Sequence, residues 1–316
     1  MVWKDFKLQS STQFSEENIV AIIEDVVDHN QINIMTRILS SEAGFLRRDL
    51  RDEVLSAALD ASTKAGTAEM TEQVIAAVKR VKYKIKNKVD LVAIAIRSGN
   101  HDAAEVMLRY YPVHGEDGEE VNFIELEEYE KSDTNIMVIT TVTLFELAFS
   151  HANAPILEAL VAAGARPDVR RESLEAVFKM RGLMSLLTKD SPETRDTMER
   201  MKNLKLPSLV LQYGLQQAIQ HSSANFAEFC IDKGANVNGR YLNIGEKRRR
   251  QRLSMLCLAV KSGSGPMVKM LLENGARLKR DELDIITAES LSGLGRIEEH
   301  FSMDWEEIVL AHSRTV

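Results

Sequence analysis

The chain has 316 residues, 44% of them hydrophobic and 28% charged, with 16 Gly, 6 Pro and a formal net charge of −7. That balance excludes a disordered or collagen-like polymer, and the net charge excludes a surface built as a whole for phosphate backbones, so no nucleic-acid partner is expected. Two cysteines, Cys230 and Cys257, are too few for a disulfide framework or a four-thiolate metal site, which predicts a reducing compartment and core packing for both.

The opening stretch, MVWKDFKLQSSTQF, lacks the sustained apolar core of a secretory signal. Further on, "NIVAIIEDVVDHNQINIMTRIL" carries two apolar helical stripes separated by Asp28 to Asn33, and "RDEVLSAALDA" with "MTEQVIAAVKRVKY" predicts a second pair with a longer joint. Residues 1–88 thus read as degenerate helical repeats forming an N-terminal cap.

From residue 89 to 280 a frame recurs. If Ala95, Ala148, Ala218 and Ala259 are aligned, Val92, Phe145, Leu215 and Leu256 stand three residues earlier. Met107-Leu108, Leu160-Val161, Cys230-Ile231 and Leu271-Leu272 follow twelve and thirteen residues later, and three copies close on Gly-Ala: Gly164-Ala165, Gly234-Ala235 and Gly275-Ala276. An apolar residue and an alanine three apart share one helix face, and the small side chain admits a close neighbour. A breaker follows in each copy: Gly99, Ala152-Asn153, Ser222-Ser223 or Gly263-Ser264. A second striped helix comes next, and its closing glycine suits a left-handed terminus. Each copy therefore predicts a helix pair.

The copies are unevenly spaced, 53, 70 and 41 residues apart. The first gap holds an insertion at 112–142, whose segment 112–133 has nine acidic residues and one lysine and reads as a solvated, partly disordered excursion. Phe123, Ile124, Leu126 and Tyr129 give it an amphipathic character suited to a basic partner. The longest apolar stretch, around Ile136 to Phe145, falls far short of the roughly 20 residues of a membrane span, and the β-branched residues of Ile136 to Val142 favour a strand in a short hairpin. The second gap predicts one degenerate unit at Ser173 to Leu187 with an added helix from Ser191 to Leu204. The third, 239–252, carries the basic loop Lys247, Arg248, Arg249, Arg250 and Arg252. Residues 281–316 read as a capping helix pair, with Phe301 and Trp305 in its core.

"LSMLCLAVKSGSGPMVKMLLENGARLK" and "YGLQQAIQHSSANFAEFCIDKGANVN", and then "TLFELAFSHANAPILEALVAAGARPD" and "DLVAIAIRSGNHDAAEVMLRYY", resemble the ankyrin repeat family. The family's opening Thr-Pro-Leu-His survives only as Thr143 and Ser254. Its Pro is absent, and its His position carries Ala93, Glu146, Gln216 and Cys257, which predicts looser repeats. The resemblance implies an all-α, ankyrin-like helical repeat solenoid with irregular insertions and atypical end caps.

No phosphate loop, HExxH or other close histidine ligand pair appears, and "SGLGRIEE" lacks the rest of a dinucleotide fingerprint. His151 and His221 share one column, in the turn between helices, which predicts a structural role. No catalytic residue, metal or cofactor is expected. The resemblance implies a non-enzymatic, monomeric, cytoplasmic or nuclear protein that binds another protein on its concave turn and helix face. Arg166, Asp168, Arg170, Asn236, Asn238 and Arg240 are the candidate contacts. The alternatives are an adaptor for nuclear or anionic surfaces acting through residues 247–252, and an enzyme in the divergent ends.

Overall fold

The structure, a computed structural model, describes residues 16–40, 51–85, 88–110, 123–127, 139–167, 169–171, 173–240, 253–277 and 282. They fall into two compact units, Met1–Pro112 and Val113–Val316. The expected helix pair at residues 89–110 packs with the N-terminal pairs, so the first unit extends past residue 88.

Among the described residues the first unit holds three helix pairs: α1 (Glu16–Asp28) with α2 (Ile32–Leu39), α3 (Arg51–Ala65) with α4 (Ala68–Arg80), and α5 (Lys88–Ser98) with α6 (His101–Tyr110). The first helices α1, α3 and α5 pack in succession, and so do the second helices α2, α4 and α6. Val26, Ser62 and Ala95 are buried at one shared column, each six residues before the start of the second helix of its pair. The joint between α3 and α4 is shorter than its sequence suggests. Ser62 and Thr63 read as loop residues but are fully buried and prolong α3. The Ser62 hydroxyl donates to Leu59 O at 3.2 Å and the Thr71 hydroxyl donates to Ser62 O at 3.2 Å, which satisfies Ser62, whereas Thr63 Oγ1 is buried with no hydrogen-bond partner. Thr67 then caps α4, its Oγ1 accepting from Met70 N at 3.3 Å.

The second unit opens on an antiparallel pair, β1 (Phe123–Glu127) and β2 (Ile139–Thr143), in register from Phe123 opposite Thr143 to Glu127 opposite Ile139. The expected hairpin is present, and its first strand lies inside the acidic insertion. Residues 123–127 of that insertion form a strand; its flanks, 112–122 and 128–133, lie outside the described residues.

Helix pairs follow: α7 (Leu144–Ser150) with α8 (Ala154–Ala162), then α9 (Leu174–Lys179), α10 (Arg181–Thr188) and α11 (Pro192–Met201). Next come α12 (Ser208–Gln220) with α13 (Ala224–Asp232), and α14 (Met255–Ser262) with α15 (Gly265–Glu273). One layer runs α7, α9, α12, α14 and the other α8, α11, α13, α15.

The degenerate unit fits this order with its roles exchanged. The helix expected as an addition, α11, fills the second layer between α8 and α13, while α10 is the surplus element, packed on α7, α9 and α11. Gly182 at the start of α10 makes that fit possible. A Cβ there would lie 2.3 Å from the carbonyl carbon of His151, a backbone atom with nowhere to move. A chain of rings crosses the first layer: Phe145 to Phe149 at 6.3 Å, Phe149 to Phe178 at 6.0 Å and Phe178 to Tyr213 at 5.1 Å, joining α7, α9 and α12. Each such pair contributes about 0.5–1.5 kcal/mol beyond its buried area.

The expected breakers are left-handed joints, with φ of 72° at Gly99, 53° at Ala152, 55° at Ser222 and 69° at Gly263. In three of them the next N–H reaches back to the column alanine: Asn100 N to Ala95 O at 2.9 Å, Asn153 N to Ala148 O at 3.2 Å and Ser223 N to Ala218 O at 2.8 Å. Gly164, Gly234 and Gly275 close the second helices in the same left-handed region. The expected C-terminal helix pair, with Phe301 and Trp305, lies outside the described residues.

Candidate functional site

The turn residues expected to meet a partner divide into two groups. Arg166 and Arg240 are exposed, and the backbone of Arg240 bridges that of Ser254 in antiparallel fashion. Asn236, Asn238 and Arg170 are occupied in holding the turns. The backbone N–H of Asn236 donates to Gln212 Oε1 at 3.0 Å, and its Oδ1 accepts from Asn238 N at 2.9 Å. Asn238 clasps the next turn, with Nδ2 donating to Gly275 O at 3.0 Å and Oδ1 accepting from Arg277 N at 2.8 Å. Asp168 and the basic loop Lys247, Arg248, Arg249, Arg250 and Arg252 lie outside the described residues.

Arg170 turns back onto Glu146, a carboxylate with no exposed surface. Glu146 is the third residue of α7, where it completes a capping box: Glu146 N donates to Thr143 Oγ1 at 3.1 Å while Thr143 N donates to Glu146 Oε2 at 2.7 Å. The same carboxylate accepts from the backbone N–H of Arg170 at 2.7 Å and from its guanidinium at 3.2 and 2.9 Å, and also from the Ser173 hydroxyl. At this position, where a looser repeat is expected, Glu146 ties the cap of α7 to the loop before α9. A second buried carboxylate, Glu282, does related work at α14. Ser254 N donates to it at 2.6 Å and Ser254 Oγ at 2.7 Å, while Ser254 Oγ accepts from Cys257 N at 3.1 Å.

The first unit has a groove of about 850 Å³ along α1, α3 and α5. Its apolar lining comes from Ile19, Val20, Ala57, Ala61 and Ile94, with Tyr83 at its side. Four carboxylates, Glu24, Asp52, Glu53 and Asp60, line it against the two cations Lys64 and Arg97. Partial burial pushes the Asp60 carboxyl above the ordinary aspartate range. Glu53 is half-buried, and its Oε2 is shielded from solvent with no hydrogen-bond partner. The pattern was present in the sequence, since Glu24 and Asp60 each stand two residues before the buried column at Val26 and Ser62.

Both cysteines are buried, on the second helix α13 and the first helix α14 as expected, and burial pushes the Cys230 thiol far up, away from nucleophilic chemistry. His151 ends α7, its Nδ1 lying 2.9 Å from Leu147 O, which fits the structural role read from its column. No three His, Cys, Asp or Glu side chains among the described residues are grouped to hold a metal ion. No described helix is long and apolar enough to cross a membrane.

No family model matches the chain, and no curated protein sequence does either. Among solved structures, the ankyrin repeat domain of Bcl-3, described as a unique member of the IkappaB protein family, is 15% identical. It covers 73% of this chain and 97% of its own, with a TM-score of 0.37. The human ASB11 ankyrin repeat domain is 16% identical over 70% of this chain and 85% of its own, with a TM-score of 0.39. The class rests on the chain's own geometry: layered helix pairs, left-handed joints at one column and glycine-closed second helices make it an all-α helical repeat protein whose copies resemble ankyrin repeats.

Proposed function

We propose that the chain is a non-enzymatic interaction protein that holds another protein against its turns and first helices. One observation carries this reading: Arg166 and Arg240 are exposed on turns where Arg170, Asn236 and Asn238 are spent on internal bonds. Side chains that hold no turn and fill no core are the ones left for a partner. Stacked helix pairs suit this task, because successive units lay out a continuous binding face without needing a catalytic cavity.

The test is capture of partners from a native lysate by the intact chain and by an Arg166→Glu, Arg240→Glu variant, read by quantitative mass spectrometry. Circular dichroism first establishes equal helicity. Arg170 is left untouched, since changing it would disturb the Glu146 network. A protein enriched by the intact chain and lost from the variant is the expected result. Equal capture by both would remove these turns from the interface.

A further inference from the structure

We infer that the groove along α1, α3 and α5 is a docking site for a cationic segment of a partner protein, one that alternates lysine or arginine with apolar side chains. The inference rests on the interaction reading above and deepens it for the first helices of the first unit, away from the Arg166 and Arg240 turns.

Three observations converge. The groove has an apolar lining from Ile19, Val20, Ala57 and Ile94, which leaves room for aliphatic side chains or the stems of long cations. Its charge is unbalanced, with four carboxylates against two cations, and the cations Lys64 and Arg97 sit in the last turns of α3 and α5, where they also complement the helix ends. Asp52 and Glu53 lie in the first turn of α3 and have the matching local explanation. Glu24 has none, and Asp60 has only Lys64, one turn further along α3. They stand at the same column of neighbouring first helices, mid-helix, on helices that pack directly against each other.

Like charges on facing helices repel, and the two carboxylates share one cation on their own helices, Lys64 at one turn past Asp60, which leaves Glu24 with none. The third observation is Glu53, with one oxygen out of contact with water and accepting nothing. An unmade bond on a carboxylate costs more than on a neutral group. An ammonium or guanidinium placed among Glu24, Glu53 and Asp60 would offset both costs at once, so the groove is complementary to a cation and repels an acidic segment. Apolar positions beside the cation then distinguish a peptide from a simple salt effect.

The experiment measures fluorescence anisotropy of a labelled peptide, acetyl-Lys-Leu-Arg-Lys-Leu-Leu-Lys-Arg-amide, with the full chain. A second peptide replaces every Lys and Arg by Gln. The chain variants are Glu24→Gln, Glu53→Gln, Asp60→Asn together, and a control with Asp196→Asn, Glu199→Gln, Glu228→Gln, which has the same net charge with its changes at exposed sites of the other unit. The expected result is binding of the basic peptide that weakens by about tenfold in the groove variant and hardly in the control, with the neutral peptide binding poorly throughout.

Equal weakening in both variants would reduce the effect to net charge and overturn the proposal, as would equal binding of the two peptides. Self-association of the chain, seen by analytical ultracentrifugation and lost only in the groove variant, would also overturn it by assigning the groove to a second copy. Thermal melts of each variant establish folding. Failure here leaves the Arg166 and Arg240 capture to judge the wider reading on its own, because those residues lie outside this groove.

Discussion

Glu24 and Asp60 in the first unit and Glu146 in the second occupy one column of the repeat, two residues before the buried Val26, Ser62 and Ala148, yet they meet opposite surroundings. Glu146 is buried and saturated with donors, whereas Glu24 and Asp60 are exposed and line a groove. The difference lies in where the first helix begins. The helix α7 starts just after Thr143, so Glu146 falls at its third position, within reach of N–H groups that no helical carbonyl satisfies. The helices α1 and α3 start about two turns earlier relative to the column, and the backbone N–H groups around Glu24 and Asp60 are already taken within the helix. One residue type thus acts as structural cement at a helix start and as surface chemistry in mid-helix.

If this account holds, the largest effect comes from Glu146→Ala. The change removes the acceptor that the Arg170 guanidinium, its backbone N–H and Thr143 N share, while the Ser173 hydroxyl keeps Arg170 O at 3.0 Å. Removing one member of a buried pair costs about 3–5 kcal/mol, and since Arg170 keeps some exposure we expect the lower end, about 3 kcal/mol, in urea denaturation. Arg170→Ala should cost less, because Glu146 retains its backbone and hydroxyl donors. Equal costs would mean that the ion pair, and not the cap, supplies the stability.

Glu282→Ala comes next, at about 1–3 kcal/mol, since it removes the acceptor for both Ser254 N and Ser254 Oγ. Ser254 Oγ would still accept from Cys257 N, so α14 keeps its cap. Hydrogen exchange should therefore quicken at Ser254 more than at Cys257. Uniform loss of protection through α14 and α15 would show that Glu282 supports the whole pair.

The repeat frame was legible because it depends on short-range chemistry: a small buried residue, a left-handed joint four residues on and a glycine closing the second helix. The hairpin was legible for the same reason, through the β-branched residues of Ile136 to Val142. What was hidden depends on tertiary pairing. Arg170 reads as a free turn cation until Glu146, 24 residues earlier, is placed beside it. The exchange of roles between α10 and α11 was hidden too, because Leu183, Leu186 and Leu187 supply as good a stripe as any second helix. Only the close approach of Gly182 to His151 shows that α10 is folded onto a joint. The groove escaped attention because a lone glutamate or aspartate is an ordinary surface residue, and only the stacking of α1 on α3 makes two of them a feature.

The left-handed joints offer a smaller test, independent of the carboxylates. Ala152 holds φ of 53° where Gly99 and Gly263 occupy the equivalent positions. A non-glycine residue there costs about 1–2 kcal/mol, and glycine returns about 0.4–1 kcal/mol of that through the freer unfolded chain. Ala152→Gly should therefore stabilise the second unit by up to about 1 kcal/mol in thermal melts. A destabilised variant would mean that the Ala152 methyl makes a packing contact worth more than the strain.

Asp60→Asn gives the smallest expected change and the sharpest sign. Burial raises the Asp60 carboxyl above its ordinary value, so the folded chain disfavours the ionised form relative to the unfolded one. An acid raised on folding contributes stability below its unfolded value and loses it as pH climbs through the folded value. At neutral pH the ionised group is therefore a small liability, and the asparagine variant, which carries no such charge, should be the more stable. Because the group is only partly buried, solvent screening keeps the gain below about 0.5 kcal/mol. The gain should vanish as pH falls below the ordinary carboxylate range, where wild-type Asp60 is itself neutral. A gain that persisted there would come from packing and not from charge. A gain that grew in the Glu24→Gln background would contradict repulsion across the column, because removing the neighbouring charge should leave less for Asp60→Asn to relieve.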